Sequence, residues 1–99
     1  MRWVAIFEDK PAMASFRTEA NKVMHEDYLR DKSSEILIAG PFRDQPGGGP
    51  IVGGLWIMEV PNRNRAIQLV EGDPYYASER RSYVLHTWDK ALADVTATL

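Results

Sequence analysis

Two residues far apart in this chain, His25 and Asp73, have the chemistry to move a proton between them. Asp73 lies in Val70-Glu71-Gly72-Asp73-Pro74-Tyr75-Tyr76, where a predicted helix stops. Gly72 is a natural helix terminator. Pro74 restricts the residue before it to extended geometry, so Asp73 cannot continue the helix and its carboxylate sits on a turn of fixed backbone. An imidazole titrates near ~6.5 when unperturbed, so it both takes and gives protons near neutral pH. An adjacent carboxylate fixes its tautomer and stabilises its charged form. Each residue also has a reading without chemistry. Pro74 suits the first position of a new helix, which would make Asp73 its N-cap. His25 falls roughly 130° from the centre of its helix's apolar stripe, where a solvated surface histidine is ordinary. The second histidine, His86, shares a strand face with Trp88 and reads as a packed or interface residue.

Composition narrows the chemistry. The chain has 99 residues, enough for one domain spanning 1–99 with a modest core, so oligomerisation is a plausible aid to stability. Its 12 basic and 14 acidic residues give a net charge of -2, against the basic excess usual in nucleic-acid binders. Cysteine is absent, which excludes disulfides, thiolate metal sites and thiol catalysis. Two widely separated histidines make a poor metal site, and no dinucleotide fingerprint is present, so no metal or cofactor is expected. The apolar run Trp3 to Phe7 is too short for a signal peptide or a spanning helix, so a cytoplasmic protein with no membrane partner is expected.

The elements that must position these side chains follow from hydrophobic periodicity. Trp3 to Phe7 reads as a strand covered on both faces. A single helix is expected over Ala12 to Lys32, with Met13, Phe16, Ala20, Val23 and Met24 as its inward stripe; Asp27 falls on the same stripe without an explanation. Ile36 to Ala39 is the second strand. Phe42 to Pro50 reads as a mobile hairpin loop, since its glycines form no phosphate-binding motif and no helix follows them. Ile51 to Val60 is the third strand, where Gly53-Gly54 would weaken it, bulge it or admit another backbone. A helix capped by Asn62 runs to Gly72. A short helical piece over Tyr75 to Arg80, a strand over Ser82 to Trp88, and a short helix or arm over 90–99 complete the chain. The order is the βαββαβ ferredoxin-like arrangement, an α+β fold with two helices on one face of a four-stranded antiparallel sheet. Apolar residues of both parities in strands one and three leave the other face greasy, and such a face must meet something.

Three features resemble the YCII-related domain family: His25 with Tyr28-Leu29 as H-x-x-Y-L, the strand Ile36-Leu37-Ile38-Ala39-Gly40-Pro41 ending in A-G-P, and Asp73-Pro74-Tyr75. The resemblance implies a dimeric α+β barrel paired through the sheets, with His25 and Asp73 as a buried pair at an active site. Some relatives are lyase-like enzymes that remove chloride from hydroxylated rings. One departure is the bulky, charged run Tyr76-Ala77-Ser78-Glu79-Arg80, where many relatives carry small residues. The function expected is a cofactor-free lyase or isomerase acting on a small substrate. His25 is the general acid or base, Asp73 orients it, and Arg17, Tyr28 and Tyr75 bind a phenolate or carboxylate. The alternative is a non-catalytic small-molecule binder or interaction module of the same fold, which needs no His–Asp hydrogen bond. An RNA-recognition domain shares the strand order, but strand three lacks its leading basic residue and alternating aromatics.

Overall fold

A computed structural model describes residues 1–98. The elements run β1 (Arg2–Asp9), α1 (Pro11–Phe16), α2 (Glu19–Asp31), β2 (Ile36–Gln45), β3 (Gly48–Glu59), α3 (Arg63–Gly72) and β4 (Arg81–Thr87). The four strands form one antiparallel sheet in the order β2-β3-β1-β4, as a ferredoxin-like arrangement requires. Pairing of Ala5 with Trp56 and with Leu85 places these three side chains on the helix-covered face. Phe7 and Met58 join them, and Ala66, Leu69 and Val70 of α3 close the core from above. Burying a side chain such as Leu69 stabilises the fold by about 1.5–3 kcal/mol.

The first helical region is two helices, not one over Ala12 to Lys32. Arg17 leaves helical geometry at ψ 59°, and Thr18 opens a new helix by accepting a hydrogen bond from the Asn21 backbone N–H at 3.2 Å. A threonine followed by Glu19 is a helix start in its own right. The break resets the helical phase. Met13 is buried as expected, yet Val23 and Met24 stand 47% and 55% exposed. The inward residues of α2 are instead Asn21, His25, Tyr28, Leu29 and Lys32, spaced as one helical face. Asp27 belongs to the outward face and pairs with Arg30 at 3.6 Å.

Other boundaries also differ from expectation. The segment Phe42 to Pro50 is no open loop: β2 runs to Gln45 and β3 begins at Gly48, joined by Pro46-Gly47. Gly47 has φ 70°, the proline-then-left-handed-glycine order of a type II turn. Gly53 lies on the backbone carbonyl of Phe7, where a Cβ would collide, so Gly53-Gly54 serves close strand approach. Residues 74–80 form turns rather than a helix, and the described part of the 90–99 tail carries no helix. Position 99 lies outside the described residues.

The opposite sheet face carries Val4, Ile6, Leu55, Ile57 and Val84, with Ile38 of β2 beside them. Ile6, Ile38 and Val84 are 39%, 40% and 52% exposed, so much of this apolar face is open in the single chain, although Val4 and Ile57 are buried and the tail residues Trp88, Thr96 and Ala97 border a cavity with Ile38 and Ile57. His86 projects there, opposite Val4. No helix among the described residues is long and apolar enough to cross a membrane.

Glu35, just before β2, fastens that strand to α3. Arg65 donates to both of its carboxylate oxygens at 2.7 and 2.6 Å, a fork geometry matched to a carboxylate. The hydrogen bonds from Arg65 hold the Glu35 carboxyl below its ordinary value. A depressed folded value contributes stability above the unfolded-state pKa, lost as pH falls through the folded one. Arg65→Gln should therefore lower the urea midpoint near neutral pH, and the gap from wild type should close in acid. A gap that persists undiminished in acid would contradict this assignment.

Candidate functional site

Asp73 caps α3 at φ -66° and ψ 133°, the extended geometry that Pro74 imposes. It is 3% exposed. Its Oδ1 accepts the Tyr75 backbone N–H at 3.1 Å, so the carboxylate caps a turn rather than a second helix. The helix expected at Tyr75 to Arg80 fails because Arg80 takes the carbonyls. Its guanidinium donates to the backbone oxygens of Pro74, Tyr75 and Tyr76 at 3.1–3.3 Å and covers the Phe16 ring at 3.7 Å. Arg80 thus locks the turn that carries the acid.

His25 reaches that acid from α2. Its Nδ1 lies 2.8 Å from Asp73 Oδ1. A carboxylate only accepts, so Nδ1 carries the proton and the neutral ring keeps its lone pair on Nε2. The imidazole stacks on Tyr75, with ring centroids 4.0 Å apart and planes 10° apart. Histidine, aspartate and tyrosine thus form one unit. Burial raises the Tyr75 hydroxyl above its ordinary pKa, an effect that nearby Arg17 opposes, so Tyr75 is a neutral phenol near neutral pH.

This unit borders a cavity of about 360 Å³ between the Arg17–Leu29 segment and the paired strands β2 and β3. Leu29, Ala39, Ile51 and Trp56 supply its apolar wall, and Gly53 and Gly54 its backbone wall. Its charged lining is Arg17, Lys22, Arg43 and Arg81, with Glu19 and Glu26 at the same wall. Among the described residues, no three histidine, aspartate or glutamate side chains group as a metal would need.

Of the five residues singled out from sequence, four meet here: His25, Asp73, Tyr75 and Arg17. Arg17 donates to Asp9 Oδ2 from Nη2 at 2.9 Å and from Nε at 3.3 Å, and lies 5.2 Å from the Tyr75 ring centre. Tyr28 does not line the cavity. Its hydroxyl donates to the Leu69 carbonyl at 2.7 Å and fills the space above Gly72, joining α2 to the end of α3. Burial raises its pKa. It therefore helps to fix the distance across which His25 meets Asp73. His86 is on the other sheet face, away from the cavity. Sequence reasoning missed Arg80 and Arg81, which fall in a stretch that reads as solvated charge; only the fold shows that β4 carries Arg81 inward.

The protein is similar in structure to 5-chloro-2-hydroxyhydroquinone dehydrochlorinase from Burkholderia phenoliruptrix, solved in complex with 2,5-dihydroxybenzoquinone. The TM-score is 0.76 at 22% identity, covering 90% of this chain and 94% of that one, a likeness of fold. No curated protein matches the sequence. Residues 1–89 match the YCII-related domain. With nine-tenths of its length within that match, the chain belongs to the YCII-related domain family.

Proposed function

We propose that this protein is a cofactor-free lyase or isomerase in which His25 transfers a proton on a small hydroxylated ring. The observation that carries the reading is the hydrogen bond from His25 Nδ1–H to a buried Asp73 at the edge of a cavity. A binding module does not require a His–Asp hydrogen bond. General acid–base work needs one, because the proton must leave from and return to a known atom. Here Nε2 takes the proton, and Asp73 stabilises the imidazolium that forms. In an elimination, the electron pair left on the substrate closes a double bond and expels a leaving group from the neighbouring atom. Tyr75 holds the ring plane of His25, and Trp56 and Leu29 offer flat apolar surface to a substrate. The structural neighbour's hydroxyquinone ligand supports a ring of this kind as the first substrate to try.

The test is chloride release from 5-chloro-2-hydroxyhydroquinone and related halogenated hydroxylated rings. His25→Asn should lower kcat/KM by about 10²–10⁴-fold, the usual contribution of a general acid or base. Asp73→Asn keeps the acceptor for the Tyr75 N–H but offers an amide to the histidine, so it should lower kcat with the fold intact. Turnover unaffected by both variants would contradict the role. Binding without turnover across the series would favour the non-catalytic small-molecule module.

A second copy of the chain is the natural cover for the open sheet face, giving the face-to-face dimer of an α+β barrel. The support is the exposed, strand-aligned apolar set of Ile6, Ile38 and Val84. Sedimentation equilibrium at micromolar concentration should give twice the 11.2 kDa chain mass, and Val84→Glu should shift the protein toward monomer. A monomeric wild type would contradict this assembly.

A further inference from the structure

A second cavity, also of about 360 Å³, opens on the sheet face opposite the His–Asp site. Its size falls within the span of small-molecule pockets, roughly 300–1,000 Å³. Leu37 and Ile38 of the edge strand β2, Ile57 of β3 and Arg2 of β1 line it from the sheet. The chain after β4 supplies the facing wall. The Trp88 N–H donates to the Arg2 carbonyl at 3.0 Å, the Val95 N–H donates to the Leu92 carbonyl at 3.2 Å, and Lys90 Nζ donates to the Val95 carbonyl. These bonds turn the segment back so that Trp88, Thr96 and Ala97 border the cavity. Arg2 is the feature that simple apolar packing does not need. Its Nε is shut off from solvent and has no hydrogen-bond partner among the described residues. Glu59, opposite it across β1 and β3, pairs instead with the Met1 amino group at 3.2 Å. Asp89 lines the same cavity without accepting from that Nε. A buried donor left without an acceptor is costly, and a ligand oxygen would satisfy it.

We propose that this cavity binds an aliphatic carboxylate, with the carboxylate on the Arg2 guanidinium and the chain along Leu37, Ile38 and Ile57. A guanidinium keeps its charge in proteins and offers a fork of N–H donors matched to a carboxylate. The surface beside it is branched and aliphatic. Leu37 and Ile38 are 46% and 40% exposed and Trp88 52%, apolar area that a hydrocarbon chain would remove from water. The site is independent of the proton-transfer reading, since the two cavities share no lining residue. Of the residues offered to a second copy of the chain, Ile38 lines this cavity and Ile6 and Val84 do not.

NMR titration of ¹⁵N-labelled protein, followed at the tryptophan indole N–H signals, reads both affinity and place. Octanoate should shift the Trp88 signal, saturate at one equivalent per chain, and leave Trp56, in the wall of the His25 cavity, unmoved. It should bind about tenfold or more tightly than 1-octanol, the scale of one hydrogen bond to a charged group. It should also exceed butyrate by at least tenfold, since each buried methylene is worth about fourfold. Arg2→Met should abolish the preference for octanoate over octanol. Asp89→Asn removes the opposing carboxylate and should tighten octanoate, an arm that holds even where Arg2→Met fails to fold. His25→Asn and Val84→Glu should bind octanoate as wild type does, so failure of the catalytic or the dimer reading would leave this result standing. No octanoate binding, a shift at Trp56 instead of Trp88, a charge preference surviving in Arg2→Met, no gain in Asp89→Asn, or loss of binding in His25→Asn or Val84→Glu would each overturn the proposal.

Discussion

The hydrogen bond from His25 to Asp73 spans 48 residues of sequence, and much of the helical layer serves to hold its two ends. On one side, the break at Arg17-Thr18 rotates α2 so that its histidine faces inward. On the other, Pro74 keeps Asp73 extended, and Arg80 ties down the turn behind it. Tyr28 sets the spacing by bonding α2 to the carbonyl of Leu69. Lengthening any of these ties would loosen the contact, and a loose His–Asp pair neither fixes the tautomer nor stabilises the charge.

Charge distribution follows from the same placement. The site lies under the helices, so its acid is dry. Asp73 is satisfied by His25 and the Tyr75 amide. Asp9 is divided between Arg17 and a longer approach to Arg81. One carboxylate is fully committed to the imidazole and the turn, and the other is shared between two guanidiniums. Both arrangements suit a reaction in which a proton leaves a ring and negative charge remains on it.

The strand order and the two-layer architecture were legible in the sequence because they rest on patterns with few alternatives: period-two strands, Gly72 and Pro74 as punctuation, and a helix–sheet topology that puts both helices on one face; the meeting of His25 and Asp73 was implied by the family resemblance. The inward face of α2 was not legible. Val23 and Met24 outweigh Asn21 and His25 in any apolar count, and only the Thr18 cap reveals that the phase restarts. The helix expected after Pro74 is absent because the Arg80 side chain, four to six residues on, takes the carbonyls of Pro74, Tyr75 and Tyr76 that helical N–H groups would have bonded. Arg81 was invisible because its burial depends on β4 pairing with β1, a long-range fact. Tyr28 was read as a ligand contact; its hydroxyl is bonded to the Leu69 carbonyl outside the cavity lining, a placement that side-chain chemistry alone does not carry.

In the proton-transfer reading proposed above, Asp73 dictates which nitrogen of His25 is free to act. Ring ¹⁵N chemical shifts of His25 in the uniformly labelled wild-type protein, recorded where the imidazole is neutral, read this directly. A protonated Nδ1 and an unprotonated Nε2 are expected. A ring protonated on Nε2, the tautomer favoured by free imidazole side chains in water, would contradict it.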